Sequence, residues 1–330
     1  MKKAFILGKF LPFHNGHLAM IEFALKHCDY LSVLVCCSEK EAIPCRQRQS
    51  WIQASFPKED KLEVRLYPYA EADLPNTSVS SHEVSKVWAQ VLQEQFPDYD
   101  IIVSSEKYGD FLAEYMGIQH LMFDLERELV AVSASLIRNH PYQYWSFIPE
   151  AVRPYFTYKV AILGTESVGK STLAQKLADY FQAELVSEAG RDLIEDSTQF
   201  SKADLLAVAQ HHATYIRTAQ ERGNPLIILD TDVNITQSYA TFCFKEELQL
   251  DDRIYQLNQA DLYLYLEKDV PFVQDGTRME KEDRDLLDLS HKNYLKKRGI
   301  NYHLIRGNWG ERFQTAVQLI NALLDKKIME

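Results

Sequence analysis

The sequence predicts an α/β protein made of two doubly wound parallel-sheet domains, and three observations carry that reading. The chain has 330 residues, which favours about two domains at roughly 100–200 residues each. Short apolar runs alternate with helix-period segments along its whole length, the pattern of parallel sheets with crossover helices. In each half the first of these runs ends in a glycine-bearing loop that opens a helix.

In the first half the strands are expected at Ala4–Gly8, Leu31–Cys37, Leu62–Tyr67, Asp100–Ser104 and His120–Phe123. Amphipathic segments Leu18–His27 and Val79–Phe96 lie between them. In the second half strands are expected at Tyr158–Gly164, Glu184–Ser187, Pro225–Asp230, Leu262–Leu266 and Tyr302–Ile305. Helical patterns Ser171–Phe181, Lys202–Arg222, Lys281–Arg298 and Glu311–Asp325 separate these. Pro149 and Pro154 bracket the junction, so the domains are expected at 1–153 and 154–330.

Composition narrows the function classes. The formal net charge is −11, which opposes tight, nonspecific nucleic-acid binding. No apolar stretch reaches the roughly 20 residues that span a bilayer, so membrane insertion is not expected. The five cysteines, Cys28, Cys36, Cys37, Cys45 and Cys243, have no zinc spacing, and Cys36 and Cys37 read as strand packing. The start runs straight into a strand rather than a signal peptide, and a reducing cytoplasm is the simplest location. Small anionic partners remain open, as does a homo-oligomer.

Two segments carry chemistry. Gly8-Lys9-Phe10-Leu11-Pro12-Phe13-His14-Asn15-Gly16-His17 follows a strand and opens a helix. Histidines three apart at a helix start share a face, beside unpaired N–H groups and the positive dipole end. That arrangement suits a polyphosphate. Gly164-Thr165-Glu166-Ser167-Val168-Gly169-Lys170-Ser171-Thr172 is a complete phosphate loop in its required strand–loop–helix setting. Its backbone amides are expected to cradle ATP phosphates, with Lys170 on the β/γ oxygens and Ser171 on Mg²⁺. Asp230 and Asp232 follow the strand Pro225–Asp230, where ligands collect in open α/β sheets. Asp230 is the choice for the metal-side carboxylate. Glu188 and Asp230 are rival candidates for the base that takes a proton from an alcohol. Arg278 and Arg284 are candidates for a lid over ATP.

The first segment resembles the G-x-F-x-P-x-H-x-G-H motif of the adenylyl- and cytidylyltransferase superfamily. Ser133-Ala134-Ser135-Leu136-Ile137-Arg138 is similar to that family's late S-x-x-x-I-R motif. Followed by a P-loop unit, the pair resembles the bifunctional nicotinamide-mononucleotide adenylyltransferase / ribosylnicotinamide kinase family, the NadR type. Ser104–Gly109, Val132–Trp145, Glu188–Arg191, Leu229–Asp232 and Asp275–Arg278 extend the likeness. The first strand begins at Ala4, which leaves no room for the helix-turn-helix that some members carry.

That resemblance implies a Rossmann-like nucleotidyltransferase followed by a P-loop kinase, working in NAD salvage. The second domain would phosphorylate nicotinamide riboside with ATP. The first would join the resulting mononucleotide (NMN) to AMP from ATP, giving NAD and pyrophosphate. His14, His17 and Arg138 would stabilise charge on the phosphates, with Gly8, Lys9, Phe10, Gly16 and Ser133 supporting. Arg46, Arg48, Trp51 and Trp88 lie where the family shapes its mononucleotide pocket, and Ser104 and Tyr108 fall in the shared Ser104–Gly109 segment. For Trp51 and Trp88, core packing and stacking on the pyridinium ring both remain open. In the second domain Arg191, Asp232, Phe272, Asp275 and Arg278 would join the P-loop around substrates. Phe272 replaces the tryptophan usual there. Other readings are a fusion acting on a different nucleoside or pantetheine, and a nucleotide-sensing regulator with one weak catalytic domain.

Overall fold

The computed structural model describes residues 1–75, 80–194, 200–269 and 281–325. The chain divides into two compact units, one from Met1 to Val152 and one from Arg153 onward.

The first unit runs β1 (Lys3–Gly8), α1 (Asn15–Leu25), β2 (Tyr30–Ser38), α2 (Cys45–Ser55), β3 (Leu62–Tyr69), α3 (His82–Gln95), β4 (Ile101–Ser104), α4 (Tyr108–Met116), β5 (Gln119–Met122) and α5 (Ala134–Asn139). Its five strands are parallel, in the order β3-β2-β1-β4-β5. β2 reads YLSVLVCCS and is buried from Leu31 to Cys37, as expected for a strand covered on both faces. One face of the sheet packs Phe5, Leu34 and Ile102 against Trp88, Leu92 and Phe96 of and beside α3. The strand order reverses between β1 and β4, the point where a crevice opens at the carboxyl ends of such strands.

The second unit runs α6 (Arg153–Phe156), β6 (Tyr158–Leu163), α7 (Lys170–Phe181), β7 (Glu184–Val186), α8 (Gly190–Leu193), α9 (Lys202–Glu221), β8 (Leu226–Asp230), α10 (Val233–Phe244), α11 (Asp252–Asn258), β9 (Leu262–Leu266), α12 (Lys281–Lys297), β10 (His303–Ile305) and α13 (Trp309–Leu324). Its parallel sheet has the order β10-β9-β6-β8-β7. β6 is central and fully buried, so the loop leaving it opens between neighbours on both sides.

The strand-packing reading of the cysteines needs one correction. Cys37, at the end of β2, is joined by a disulfide to Cys45, the first residue of α2, with Cα atoms 5.8 Å apart. The turn between the two elements brings the residues within bridging reach, a proximity that eight residues of sequence separation do not reveal. Cys28 and Cys36 are buried free thiols, as packing requires, and Cys243 is exposed. Among the described residues no helix is long and apolar enough to cross a membrane.

Candidate active sites

In the first unit the chain from β1 into α1 builds a donor array from its own backbone. His14 is the N-cap of α1, in extended conformation, and its Nδ1 accepts from Gly16 N–H at 3.1 Å. His17, three residues on, accepts at its Nδ1 from His14 N–H at 3.3 Å. A ring nitrogen that accepts carries no proton, so each neutral imidazole keeps its hydrogen on Nε2. The rings stack with centroids 3.7 Å apart. Burial, then Arg127, pulls the His14 pKa down to about 3, and burial, then His14 and Arg127, pushes His17 well below its usual range. The pair can therefore offer an anion two neutral N–H donors.

Two cavities meet here. The larger, about 640 Å³, is lined by Gly8, Lys9, Phe10, Trp88, Tyr108 and Arg138 among others. The smaller, about 220 Å³, is lined by His14, Gly16, Arg127 and Ser133. His17 and Ser135 line both. Phe10 has φ of +50°, a left-handed turn that seats its ring beneath Gly8, where an added Cβ would lie 3.4 Å from the ring. Lys9 pairs with Glu41 at 3.1 Å. Arg138 donates to Leu11 O, and to Ser135 Oγ at 3.0 Å, which fixes α5 against the Phe10–His14 turn. Ser133 caps α5 by accepting from Leu136 N–H at 3.3 Å. Trp88 donates to Pro75 O at 3.0 Å and lines the larger cavity. The Tyr108 hydroxyl donates to Leu7 O at 3.2 Å, and burial raises its pKa.

Several expected pocket residues lie elsewhere. Arg48 is only 1% exposed. It donates to Cys36 O at 3.2 Å and pairs with Glu41 at 2.9 Å. A further bond, 2.5 Å long, goes to Lys9 O. It is thus an internal strut that holds the Lys9 turn, not a cavity wall. Trp51, on the same helix, is buried in the core. Arg46 is exposed and absent from both cavity linings. Ser104 is buried, and its hydroxyl donates to Glu106 O at 2.8 Å and meets His120 Nε2 at 3.0 Å. Asp110 holds the other nitrogen of His120 at 2.7 Å. Ser104 thus shapes the turn that presents Ser105 and Glu106 to the cavities. Arg127, which belongs to no motif and was not singled out from the sequence, lines the smaller cavity.

In the second unit the P-loop leaves β6 with φ values of +141° at Gly164, +61° at Ser167 and +88° at Gly169. Gly169 is doubly constrained, since an added Cβ would collide with the Trp309 ring. Thr165 and Val168 are buried and anchor the loop. Lys170 Nζ donates to Thr165 O at 3.0 Å. Glu166 accepts from the Tyr239 hydroxyl at 3.0 Å. Thr172 is exposed on the first turn of α7. Ser171 Oγ accepts from Arg191 at 2.6 Å and lies near enough to Asp230 to lower its pKa. Asp230 is 3% exposed, and its Oδ1 is buried without a hydrogen-bond partner. Burial raises its pKa, against Lys170 and Ser171, which lower it. A hydroxyl beside a carboxylate with an orphaned oxygen is a donor set that fits Mg²⁺. Glu188, half-buried, pairs with Arg191 at 3.3 Å.

Asp232 is not placed to touch a ligand. It is fully buried and caps α10, accepting from the N–H groups of Asn234 and Ile235 at 3.0 and 3.1 Å and from the Asn234 side chain at 2.5 Å. An aspartate after a strand looks the same in sequence whether it caps or binds, and here the cap takes it. Arg284, read as a swinging lid, is 3% exposed and donates to Glu166 O at 2.9 Å. It braces the P-loop from α12. Phe272, Asp275 and Arg278 lie outside the described residues.

The fold and the two sites define a class: a nucleotidyltransferase-type domain joined to a P-loop kinase-type domain. The family described as cytidylyltransferase-like matches residues 5–146, and that described as AAA domain matches residues 159–312. Within the class, the chain resembles NadR proteins from end to end. It is 28% identical to the trifunctional NAD biosynthesis/regulator protein NadR of Salmonella typhimurium, over 98% of this chain and 83% of that one. A crystal structure of a NadR protein in complex with NR superposes with a TM-score of 0.75 at 21% identity, covering 100% of this chain and 98% of that one. Another, in complex with NAD and AMP-PNP, gives 0.73 at 22% identity with the same coverage.

Proposed function

We propose that the chain is a two-step NAD salvage enzyme, with an NMN adenylyltransferase in residues 1–153 and a ribosylnicotinamide kinase in residues 154–330. One observation carries this: a capped histidine pair and a complete P-loop stand on separate units of a chain that is NadR-like throughout. In the kinase, Lys170 and the P-loop amides bind the β- and γ-phosphates of ATP. Ser171 and Asp230 would hold Mg²⁺, which offsets phosphate charge when bound. Because Asp230 is buried and is assigned to the metal, the more exposed Glu188 is assigned as the base. The 5′-oxygen of nicotinamide riboside attacks the γ-phosphorus, its proton passes to Glu188, and the bond to the β-phosphate oxygen breaks to release ADP.

In the adenylyltransferase, a phosphate oxygen of NMN attacks the α-phosphorus of ATP, and pyrophosphate leaves with the electron pair. The Nε2–H groups of His14 and His17 and the guanidinium of Arg138 meet charge on the reacting phosphates, and Lys9 supports them. Trp88, which lines the larger cavity, is assigned to border the nicotinamide ring. The substrates are thus small nucleotides, and the cytoplasm, where ATP is abundant, is the proposed location. Operator binding is not part of this reading, and a homo-oligomer is compatible with it.

The test is a chromatographic time course of the protein with nicotinamide riboside, ATP and Mg²⁺. NMN accumulates first and NAD follows. Protein that leaves both the riboside and NMN unchanged refutes the proposal.

A further inference from the structure

The disulfide between β2 and α2 is linked through named contacts to the first site. Cys37 ends the buried run of β2, and Cys45 opens α2. The two sulfurs differ in their surroundings. Cys37 is 7% exposed, whereas Cys45 is half-buried, so a reagent reaches the bridge from the Cys45 side. Arg48 Nη2 donates to Cys45 Sγ at 3.1 Å. That guanidinium and the positive end of the α2 dipole both stabilise a sulfur anion at position 45. Cys36 does not compete for the bridge. Successive strand residues face opposite ways, and burial pushes the Cys36 thiol up to about 12. The cytoplasm proposed above keeps thiols reduced, and a disulfide that forms there is typically transient or redox-sensing.

The bridged segment carries Glu41, which is tied to the site. Its carboxylate accepts from Ser38 N–H at 2.7 Å and from Arg48 at 2.9 Å, and it pairs with Lys9 at 3.1 Å. Arg48 reaches Lys9 a second way, by donating to its carbonyl. Lys9 lines the larger cavity. We propose that Cys37 and Cys45 form a thiol–disulfide exchange site that takes a small disulfide and sets the rate of adenylyl transfer. The coupling to rate rests on the adenylyl-transfer reading given above. In oxidation the Cys45 thiolate attacks one sulfur of the small disulfide, and the other sulfur leaves as a thiolate. Cys37 gives its proton to solvent and attacks Cys45 Sγ, and the second small thiolate leaves. Two protein thiols and one small disulfide thus become one protein disulfide and two small thiols, the two protons passing to the products through solvent. An excess of the small thiol reverses both steps. Without the bridge the Cys45 sulfur is an anion beside Arg48, which then divides its donors between that sulfur, Glu41 and Lys9 O. The bridged form therefore holds the Lys9 turn more firmly.

The experiment equilibrates wild-type protein with reduced or oxidised glutathione and blocks free thiols with an alkylating reagent. Peptide masses then map the bridge, and NAD synthesis from NMN and ATP is assayed beside riboside phosphorylation. The Cys37–Cys45 bridge should form in oxidised glutathione and open in reduced glutathione. NAD synthesis should be about tenfold slower in the reduced form, within the loss that a displaced positioning group causes. Phosphorylation should be equal in both forms. Cys45→Ser should show the reduced wild-type rate in both buffers. Cys243→Ser, which removes the exposed free thiol, should respond as wild type does. A bridge that persists in reduced glutathione, or never forms in oxidised glutathione, would overturn the exchange. Equal NAD synthesis in the two forms would overturn the coupling, as would a parallel change in phosphorylation or a lost response in Cys243→Ser. Should Cys45→Ser fail to fold, the two forms of wild type still decide. Wild-type protein that makes no NAD in either buffer would remove the adenylyl-transfer reading and the coupling with it, while the peptide map still decides the exchange.

Discussion

His14 has two tasks that depend on one protonation state. Its Nδ1 must be bare to cap α1 through Gly16 N–H, and in the proposed reaction its Nε2 must keep a proton to meet phosphate. Burial supplies that state by lowering the pKa to about 3. In the unfolded chain the same ring titrates near 6.5. Because the folded pKa is the lower one, the stabilisation is complete above pH 6.5. It declines as acid protonates the unfolded state, by about 1.4 kcal/mol per pH unit, until the folded ring titrates near 3. From pH 7 to 5 the first unit should therefore lose about 2 kcal/mol through His14. Urea unfolding at the two pH values, in wild type and His14→Gln, checks this: the variant should lose that share of the pH dependence. An equal dependence in both would show that His14 is charged in the fold.

Single residues also mark the limit of sequence reading. The paired histidines and the P-loop were legible because each is a run of neighbouring residues whose spacing dictates backbone geometry. The place of Arg127 in the lining of the smaller cavity was not, since a lone arginine in a loop carries no spacing signal and the residues that line the cavity with it include ones from α1 and α5. Arg48 was misplaced because its charge fits a pocket wall as well as a strut, and Trp51, left open between core packing and stacking, is buried in the core. Only the fold reveals that Arg48 turns inward to Lys9 O and Cys36 O.

At the scale of elements, all ten predicted strands fall within two residues of those observed. Parallel strands buried on both faces read as unbroken apolar runs, and such runs are hard to miss. Helices were harder. α10, Val233–Phe244, reads VNITQSYATFCF and is buried at Val233 through Ser238, so it has no polar face to reveal a 3.6-residue period. Its start is nevertheless specified, since Asp232 caps it inside the protein. Asp232→Ala should destabilise the second unit by about 1–2 kcal/mol, the usual cost of a lost cap. Asp232→Asn, which keeps a capping oxygen, should retain most of that stability and leave KM for the riboside unchanged. Denaturation curves with kinase kinetics on the two variants check this. A tenfold rise in riboside KM for the asparagine variant at normal stability would return Asp232 to the substrate site.

At the scale of the whole molecule, each unit has its own sheet and core, and each is proposed to carry its own phosphate-binding mouth. In both, the mouth lies where the chain leaves an inner strand, β1 in one and β6 in the other. The account therefore requires that the two reactions be separable. The most direct measurement takes His17→Ala and Lys170→Ala, each verified as folded, and follows NAD formation from NMN and phosphorylation of the riboside in parallel. His17→Ala should lower NAD formation at least about 10²-fold and leave phosphorylation unchanged, and Lys170→Ala should do the reverse. If either change in a folded protein abolished both reactions, the two mouths would not be independent sites and the account would be wrong.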